Sequence, residues 1–207
     1  MLRAIKIRLY PNKEQATMFN KLLGCYRFVY NQCLSRKIES YRNDGKSENL
    51  STLGRFVHHE LLKNDNFIWL REQNTKVLKQ AVKDMLSAYK NFFERHTGYP
   101  KFKSKHDNKQ SCRFELGAIS KRNDYTTYHI SLANIRNVKF RCSEKYAQYL
   151  QKNHDNIRQA TLTKLPCGEY CLSILVDGDL THKVKETNTA VGIDLGVKDF
   201  VITSDGE

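Results

Sequence analysis

Residues 191–204 read VGIDLGVKDFVITS and carry the strongest fold signal in the chain. Two apolar runs rich in β-branched residues flank a Gly-Val-Lys-Asp turn, which predicts a β-hairpin. One acid, Asp194, lies inside the first predicted strand, between Ile193 and Leu195. A carboxylate buried in such a strand costs several kcal/mol unless a metal ion, a cation or hydrogen-bond donors compensate it. The stretch therefore predicts a hairpin with a candidate site at Asp194.

Between about residue 110 and this hairpin, short segments alternate apolar and polar residues. They are residues 112–116, 128–132, 138–141, 157–165 and 170–176. Such alternation is typical of half-buried strands, and five of them with turn residues between predict a small antiparallel barrel or sandwich. We expect one or two helical turns around residues 144–150. Polar residues 177–188 are predicted to be the linker into the final hairpin.

The chain begins with a strand pattern, since residues 3–9 alternate apolar and basic side chains before Pro11. Asn12, followed three residues later by Gln15, has the arrangement of a capping box and predicts a helix start.

Helical periodicity follows from residue 19 to residue 41. It predicts one helix, or a pair of helices broken near Gly24, that ends around Gly45. Ser51 is then positioned to cap a third helix that runs through Leu62.

The clearest helix is predicted for residues 74–95, which carry one broad apolar stripe. The opposite face is predicted to carry the polar residues Lys76, Lys79, Gln80, Lys83 and Lys90. A cationic stripe of this kind is often only a solvated helix face. In a basic protein, contact with a phosphate backbone is the competing interpretation.

A basic stretch follows this helix, from residue 98 through Arg113, with Asp107 as its only acid. Pro100 prevents a helix there. The stretch supplies the cations Lys101, Lys103 and Lys105 on an extended backbone, with Tyr99 and Phe102 available to stack on bases. The alternative is a basic interdomain linker whose aromatic side chains pack into the core.

Composition favours a polyanionic partner. The 207 residues contain 35 Lys and Arg against 22 Asp and Glu, giving a net charge of +13 spread along the chain. Nucleic acid is preferred over a membrane because no apolar run reaches the roughly 18 residues of a membrane span. A merely basic soluble protein remains the alternative.

The amino terminus lacks the apolar region of a signal peptide, and the six cysteines show no C-x-x-C pairing. We therefore expect a reduced, cytoplasmic protein without a structural metal.

Most catalytic chemistries have no candidate residues in this sequence. No nucleophile–base pair or Walker-type phosphate loop occurs, and the adjacent His58 and His59 on a polar helix are expected to be solvated. Asp199, Asp205 and Glu207 are expected to be ordinary turn or tail acids. Asp194 is thus the single catalytic candidate.

An acid at this place has two precedents. In ribonuclease-H-like sheets, an acid in the first strand joins others to hold two Mg²⁺ ions for phosphodiester cleavage. Gly-Ile-Asp-Leu-Gly also opens ATPase domains of the actin, chaperone and sugar-kinase class. Those domains place Thr or Ser after the second glycine, where Val197, Lys198 and Asp199 stand here. This difference counts against ATP binding.

Five segments together resemble a known family. They are KIRLYPN at 6–12, RFVYN at 27–31, AYKNFF at 88–93, YPKFKSK at 99–105, and GIDLG with KDF at 192–200. In this order they resemble the amino-terminal half of the TnpB family. Members are transposon-encoded RNA-guided DNA nucleases, also known as OrfB transposases and related to type V CRISPR effectors.

The resemblance implies an α+β fold with three parts. A helical recognition lobe, residues 12–105, would be inserted into an antiparallel β-barrel (wedge) domain made of residues 1–11 and 106–188. The first hairpin of an RNase H-like (RuvC) domain would begin at residue 189.

The resemblance also implies partners and site residues. Guide RNA and a double-stranded DNA target would be the partners, with no membrane. Asp194 would be a catalytic residue and a Mg²⁺ ligand, with no zinc in this chain. Thr75, Lys76, Lys79 and Gln80 would belong to the surface that reads a short motif beside the DNA target. The full set of expected nucleic-acid-binding residues is Lys76, Lys79, Gln80, Lys83, Tyr99, Lys101, Phe102, Lys103, Lys105 and Arg113.

The sequence departs from the family in one large respect. The later Glu, the second Asp and the four-cysteine zinc module of the family lie in sequence that this chain does not have. We therefore expect the 207-residue chain not to cleave DNA alone. A non-catalytic RNA- or DNA-binding regulator and a decayed transposase fragment are the alternatives. Gene truncation, a split reading frame and a deliberately shortened protein would all produce the same sequence.

Overall fold

The first strand lies in the middle of a six-stranded antiparallel sheet. The computed structural model describes residues 2–178, 192–194 and 202–204. The strands of the sheet are β1 Leu2–Tyr10, β2 Gln110–Glu115, β3 His129–Leu132, β4 Ile135–Arg141, β5 Ile157–Lys164 and β6 Tyr170–Asp177. Their order is β2-β5-β6-β1-β4-β3, and all neighbours are antiparallel. The five strands predicted after residue 110 and the one before Pro11 are confirmed.

The register of β1 explains its alternating pattern. It pairs with β6 from Leu2 opposite Asp177 to Leu9 opposite Tyr170, and its last residues pair with β4. Ile5, Ile7 and Leu9 are buried while the residues between them are exposed. One face of the strand therefore packs on the core and the other faces solvent, as alternation requires.

The sheet is curled. After β2, the chain crosses to the opposite edge, where the amide of Ala133 donates to the carbonyl of Ala118 at 2.6 Å. Ile119 forms an isolated antiparallel bridge with Leu132 in β3. Residues that follow the edge strand β2 thus pair with the other edge strand, β3. This pairing requires the sheet to curve, as the predicted barrel does.

Between β1 and β2 the chain is helical and begins with one long helix, α1, Lys13–Asp44. The predicted capping box is present, since the Asn12 side chain accepts from the amide of Gln15 and the Gln15 side chain accepts from the amide of Asn12. Gly45 ends the helix in the left-handed conformation, with φ of 65°. The alternative of two helices broken near Gly24 is wrong, because α1 passes through that residue without interruption.

The next helix starts two residues earlier than the sequence predicts. α2 spans Leu50–Phe56 and continues as a π-helical turn over Val57–Leu61. Asn49, not Ser51, is the cap, because its Oδ1 accepts from the amides of Ser51 and Thr52. Asn49 lies two residues before Ser51, and since Asn and Ser are about equally favoured as caps, the residue type alone does not decide between them. A 3₁₀ helix over Asp65–Leu70 completes the connection to α3.

Helix α3, Thr75–Arg95, carries the predicted apolar stripe and is capped by Asn74. The short helix predicted around residues 144–150 is α4, Glu144–Lys152. Large buried side chains from both layers form one continuous core. They include Phe19, Tyr26 and Leu34 of α1, Leu78 and Met85 of α3, and Phe114 and Phe140 of the sheet. The helices inserted between β1 and β2 are therefore packed onto the sheet.

A second, two-stranded antiparallel pair is formed by β7, Ile193–Asp194, and β8, Ile202–Thr203. Most of the predicted linker, residues 179–188, lies outside the described residues, and so does the turn at 195–200. No helix in the described ranges has both the length and the apolar character needed to cross a membrane.

Candidate nucleic-acid interface

The lysines of α3 differ in whether their ammonium groups already contact other groups of the protein. Lys79 is exposed, whereas the Lys76 ammonium donates to the carbonyl of Gly117 at 3.3 Å and the Lys83 ammonium pairs with Glu115. An exposed pair of this kind contributes little to stability, but a phosphate would first have to displace it. Lys79 is the α3 cation best placed for a ligand.

Gln80 does not lie on the exposed face, and that part of the prediction is wrong. Only 4% of its surface is exposed, and its amide donates to Asp84 Oδ1 at 3.1 Å. Gln80 faces inward because helical spacing places it directly one turn before Asp84, which is itself turned toward α1 and β2. A buried amide in this position orients Asp84 and cannot reach a nucleic acid.

Asp84 is a polar connection that the sequence prediction missed. The Tyr26 hydroxyl of α1 donates to its Oδ2, and Arg113 of β2 lies 3.4 Å from its Oδ1. Burial and the nearby Asp84 charge raise the pKa of Tyr26 well above its usual range. Tyr26 therefore stays a protonated donor. Arg113, predicted as a binding residue, is partly neutralised by this contact and serves to join β2 to the helices.

Contacts made by α3 side chains show that β2 and the residues just after it run antiparallel along α3. Arg113 meets Asp84, Glu115 meets Lys83, and Gly117 meets Lys76. The structure thus brings the α3 lysines and Arg113 into one line, although they lie far apart in sequence.

A cleft of about 670 Å³ lies between α2 and the start of α3. Its titratable lining side chains are Arg55, His58, His59, Lys76 and Lys79. The two histidines are exposed, as predicted, with ring centroids 4.8 Å apart. Among the residues that the structure describes, no carboxylate lines the cleft. Its walls therefore favour anions.

The basic stretch is held in place by α1. The amide of Lys103 donates to Asn31 Oδ1 at 2.8 Å, and Asn31 Nδ2 donates to the Lys103 carbonyl at 2.9 Å. Gln110 Nε2 donates to the carbonyl of Lys105 at 2.7 Å, which fixes the far end. These bonds hold the extended backbone without using the side chains of Lys101 and Lys105, which are exposed.

The aromatic side chains of this stretch are not packed into the core. Tyr99 is 47% exposed and Phe102 is 56% exposed, whereas Pro100 is the buried residue between them. The Tyr99 hydroxyl lies 2.7 Å from that of Tyr89. The Lys103 ammonium lies 4.7 Å from the Tyr30 ring centroid, a cation–π contact. These exposures disfavour the linker interpretation.

Asp194 is paired in the predicted hairpin geometry but is not buried. It lies opposite Ile202, and the Ser204 amide donates to the Gly192 carbonyl at 2.8 Å. Both Asp194 and Ile193 are exposed, so the expected burial cost of this carboxylate is absent. The prediction of a buried acid is therefore wrong for this structure, because none of the described residues covers it.

Asp194 alone does not fit a magnesium ion, which prefers about six oxygen ligands in octahedral geometry. Within the described ranges, no group of three or more His, Cys, Asp or Glu side chains lies close enough to hold a metal. Asp199, Asp205 and Glu207 lie outside the described residues. No metal-dependent step can be derived from the residues that the structure describes.

A protein-family model described as a helix-turn-helix domain, of the OrfB type, matches residues 1–46. In the structure this span forms β1 followed by the single helix α1. The described architecture of that segment is therefore strand–helix.

Two relatives match nearly the whole chain. A "Putative RNA-guided DNA endonuclease" of Streptomyces pristinaespiralis and the "Putative RNA-guided DNA endonuclease InsQ" of Escherichia coli K12 are each 26% identical over 205 residues. Each alignment covers 99% of this chain and 48% of the relative. The chain spans about half the length of these curated relatives.

A shorter relative, the "Virulence protein VsdF" of Salmonella dublin, is 34% identical over 116 residues. That alignment covers 51% of this chain and 96% of the relative. Among solved structures, a CRISPR-Cas12f ternary complex matches at 14% identity with a TM-score of 0.45, covering 93% of this chain and 46% of the other. A Cas12f1–sgRNA–target DNA complex matches at the same identity and TM-score, covering 99% and 54%.

Proposed function

The chain belongs to the TnpB family, the OrfB-type transposases, and from this premise we propose that it is the nucleic-acid-binding amino-terminal portion of an RNA-guided DNA endonuclease. The observation that carries the proposal is the alignment over 99% of this chain with two relatives of that name. Its proposed partners are a guide RNA and a double-stranded DNA target. These partners imply a place in a prokaryotic cytoplasm, at the nucleoid when DNA is bound.

The physical support is a set of exposed cations on a fixed backbone. Lys101 and Lys105 project from a stretch whose main chain is bound by Asn31 and Gln110, and Lys79 lies at a cleft whose described lining holds no carboxylate. A backbone that is already ordered loses little conformational entropy when its lysines bind phosphates, which favours affinity. The exposed rings of Tyr99 and Phe102 add surfaces on which bases can stack.

We assign the parts of the fold to three roles. Residues 12–105 form the helical recognition lobe, and residues 1–11 with 106–188 form the wedge domain. Residues 189–207 begin a RuvC-like nuclease domain. The insertion of α1–α3 between β1 and β2 supports the first two assignments, since it interrupts the sheet where the family arrangement requires. Within this arrangement, Thr75, Lys76 and Lys79 line the cleft that would read the motif beside the target.

Catalysis would require more than this chain supplies. Asp194 would contribute one carboxylate to a magnesium site whose other acids come from elsewhere. We therefore expect no cleavage by the 207 residues alone. Incubation with guide RNA, Mg²⁺ and target DNA checks this, and target-dependent cleavage would contradict it. A non-catalytic regulator would give the same binding and the same absence of cleavage.

Binding is tested by mobility shifts of a single-stranded RNA and a duplex DNA across a salt series. Because binding through several phosphates releases counterions, the logarithm of the affinity should fall linearly with the logarithm of salt concentration. We expect Lys101→Gln/Lys105→Gln to weaken binding and reduce that slope by up to about 1.4 for single strands. Lys152→Gln, an exposed lysine on α4, is the matched control. Salt-independent binding, or none, would reject the proposal.

A further inference from the structure

A second cavity, of about 520 Å³, lies where the last turns of α1 and α3 meet the start of the basic stretch. α1 contributes Lys37, Tyr41 and Arg42, α3 contributes Phe93, and Tyr99 closes the cavity. The volume falls in the range of about 300–1,000 Å³ that is typical of small-ligand sites. Of the residues that line this cavity, Tyr99 alone is among the nucleic-acid-binding residues expected from the sequence.

Three aromatic side chains line this cavity while remaining open to solvent. Phe93 is 70% exposed, Tyr41 is 67% exposed and Tyr99 is 47% exposed. A single exposed ring is common in proteins, but several that converge on one concave surface mark a site of interaction. The convergence of these rings favours a ligand with an apolar face.

Two of these rings, Phe93 and Tyr99, have restricted positions. The Tyr89 ring stacks on Phe93 with an interplanar angle of 23°, and Tyr99 meets Tyr89 edge-on at 83°. A hydrogen bond between the hydroxyls of Tyr89 and Tyr99 fixes this corner. An incoming planar ring therefore finds walls that are already ordered, which reduces the entropy lost on binding.

Cations border the rings. The Lys37 ammonium donates to Ser47 Oγ at 2.8 Å and to the Glu48 carbonyl at 2.6 Å, and it lies 5.2 Å from the Tyr89 ring centroid. Arg42 is exposed in the last turn of α1. Beyond Tyr99 the chain continues into the exposed Lys101 of the basic stretch. Aromatic faces beside cations are the combination that single-stranded nucleic acids require.

We propose that this cavity binds one unpaired nucleobase, stacked against Phe93, Tyr41 and Tyr99, with the adjoining phosphates directed toward Arg42 and Lys101. The proposal rests on the proposed function and adds Tyr41, Phe93 and Arg42 to the binding residues. Bases within a duplex are already stacked and cannot enter. The ligand is therefore a single-stranded or extruded nucleotide of RNA or DNA.

The charges disfavour a second copy of this chain as occupant. A two-fold contact through this cavity would bring each copy's Lys37 and Arg42 to the same patch on its partner. Like charges brought together in this way are destabilising. A polyanion has the opposite effect.

The experiment uses the whole chain and 12-nucleotide strands of RNA and of DNA with one 2-aminopurine, whose fluorescence is quenched by stacking. We expect quenching by the unchanged protein with single strands, and none when the probe is in a duplex. Tyr41→Ala and Phe93→Ala should each abolish the quenching and weaken binding roughly 5- to 150-fold, the range expected for one base–ring stack. The salt slope should stay unchanged, because no phosphate contact is removed.

Controls separate this site from general binding. Tyr146→Ala removes a ring that is 42% exposed on α4 and should leave quenching intact. Tyr41→Phe keeps the ring and should behave as the unchanged protein does. Comparison of the RNA and DNA strands identifies which source supplies the base.

Three results would overturn the proposal. Salt-dependent binding without quenching, or with quenching that survives both alanine variants, rejects the base site and leaves the proposed function standing. Self-association that Tyr41→Ala abolishes, measured by sedimentation, would make this cavity a protein contact. Absence of any nucleic-acid binding by the unchanged protein rejects both proposals together.

Discussion

The side chain of Asn31 and the backbone of Lys103 are joined by two hydrogen bonds across 72 residues of sequence. The amide group donates to the Lys103 carbonyl and accepts from the Lys103 amide, as a neighbouring strand would. Two of the segments on which the family resemblance rests, residues 27–31 and 99–105, therefore meet at this contact. α1 acts as the support that orders the basic stretch.

Asn31→Ala should release the basic stretch from α1. Two net hydrogen bonds of about 0.5–1.5 kcal/mol each are lost, so the free energy of unfolding should fall by about 1–3 kcal/mol. Urea denaturation measures this, and amide exchange at Lys103 should accelerate. RNA binding should weaken as well. Gln32→Ala, on the adjacent position of α1, is the control, and an equal effect there would contradict the specific role of Asn31.

Replacing two glycines of the first helical segment by alanine should have opposite effects. Gly24 lies within α1, and a Cβ there would meet no atom within 4 Å. Gly24→Ala should stabilise the protein by about 0.5–1 kcal/mol. Gly45→Ala places a side chain at φ of 65° and should destabilise it by about 1 kcal/mol. Thermal melts of both variants test this. A loss of stability in Gly24→Ala would indicate a bend or a contact at that residue.

Asp84→Ala should destabilise the junction of α1, α3 and β2 by about 1–3 kcal/mol, because it leaves the Tyr26 hydroxyl and the Gln80 amide without their acceptor. Tyr26→Phe removes one of these donors. The double variant should therefore lose less stability than the sum of the two single variants. Strict additivity in urea denaturation would refute the coupling.

Lys79→Gln should weaken binding of duplex DNA by up to about fivefold, equally for all sequences, since a lone exposed ion pair contributes at most about 1 kcal/mol. The salt slope should decrease by about 1. Lys152→Gln, at the end of α4, should change neither quantity. Sequence-dependent loss of affinity would instead indicate base contact by Lys79.

Two buried thiols should make stability fall at alkaline pH. Burial raises the pKa of Cys25 to about 11 and that of Cys33 to about 12, from 9.0. The folded state therefore favours the neutral thiols, and their contribution is complete below pH 9 and is lost as the pH rises toward 11. Burial lowers the pKa of Lys37, which acts in the opposite direction.

The thiol contribution is therefore the difference between the unchanged protein and Cys25→Ala/Cys33→Ala in urea denaturation from pH 8 to 11. We expect the double variant to lose less stability over that range. Parallel curves would show that neither thiol contributes.

The strands were predictable from sequence because each carries a two-residue alternation that one buried face imposes. The capping box at Asn12 was also predictable, because both of its partners lie close together in the sequence. The Gly24 break was not decided by sequence alone. Glycine lowers helix propensity by only about 1 kcal/mol, and burial of Phe19, Tyr26 and Val29 on either side of it outweighs that cost.

The proposed binding surface was less predictable, because long-range contacts decide which lysines already have partners within the protein. Lys79 and Lys83 are one turn apart on α3, yet Lys83 meets Glu115 from β2. Gln80 was misassigned because residue type alone does not predict whether a glutamine is buried or exposed. Its partner Asp84 is held in place by Tyr26 and Arg113. The cavity at Phe93 joins α1, α3 and residue 99, so no single stretch displays it.

The central place of β1 has a consequence for synthesis of the protein. β1 is synthesised before every other strand of its sheet, and its sheet partners β4 and β6 begin only at residues 135 and 170. The nascent chain must carry most of β1 unpaired, with the helices already able to form behind it, until residue 177 has emerged. Sheet formation is therefore a late event that depends on distant contacts. A tag or deletion within residues 2–10 would remove the middle of the sheet and not an edge.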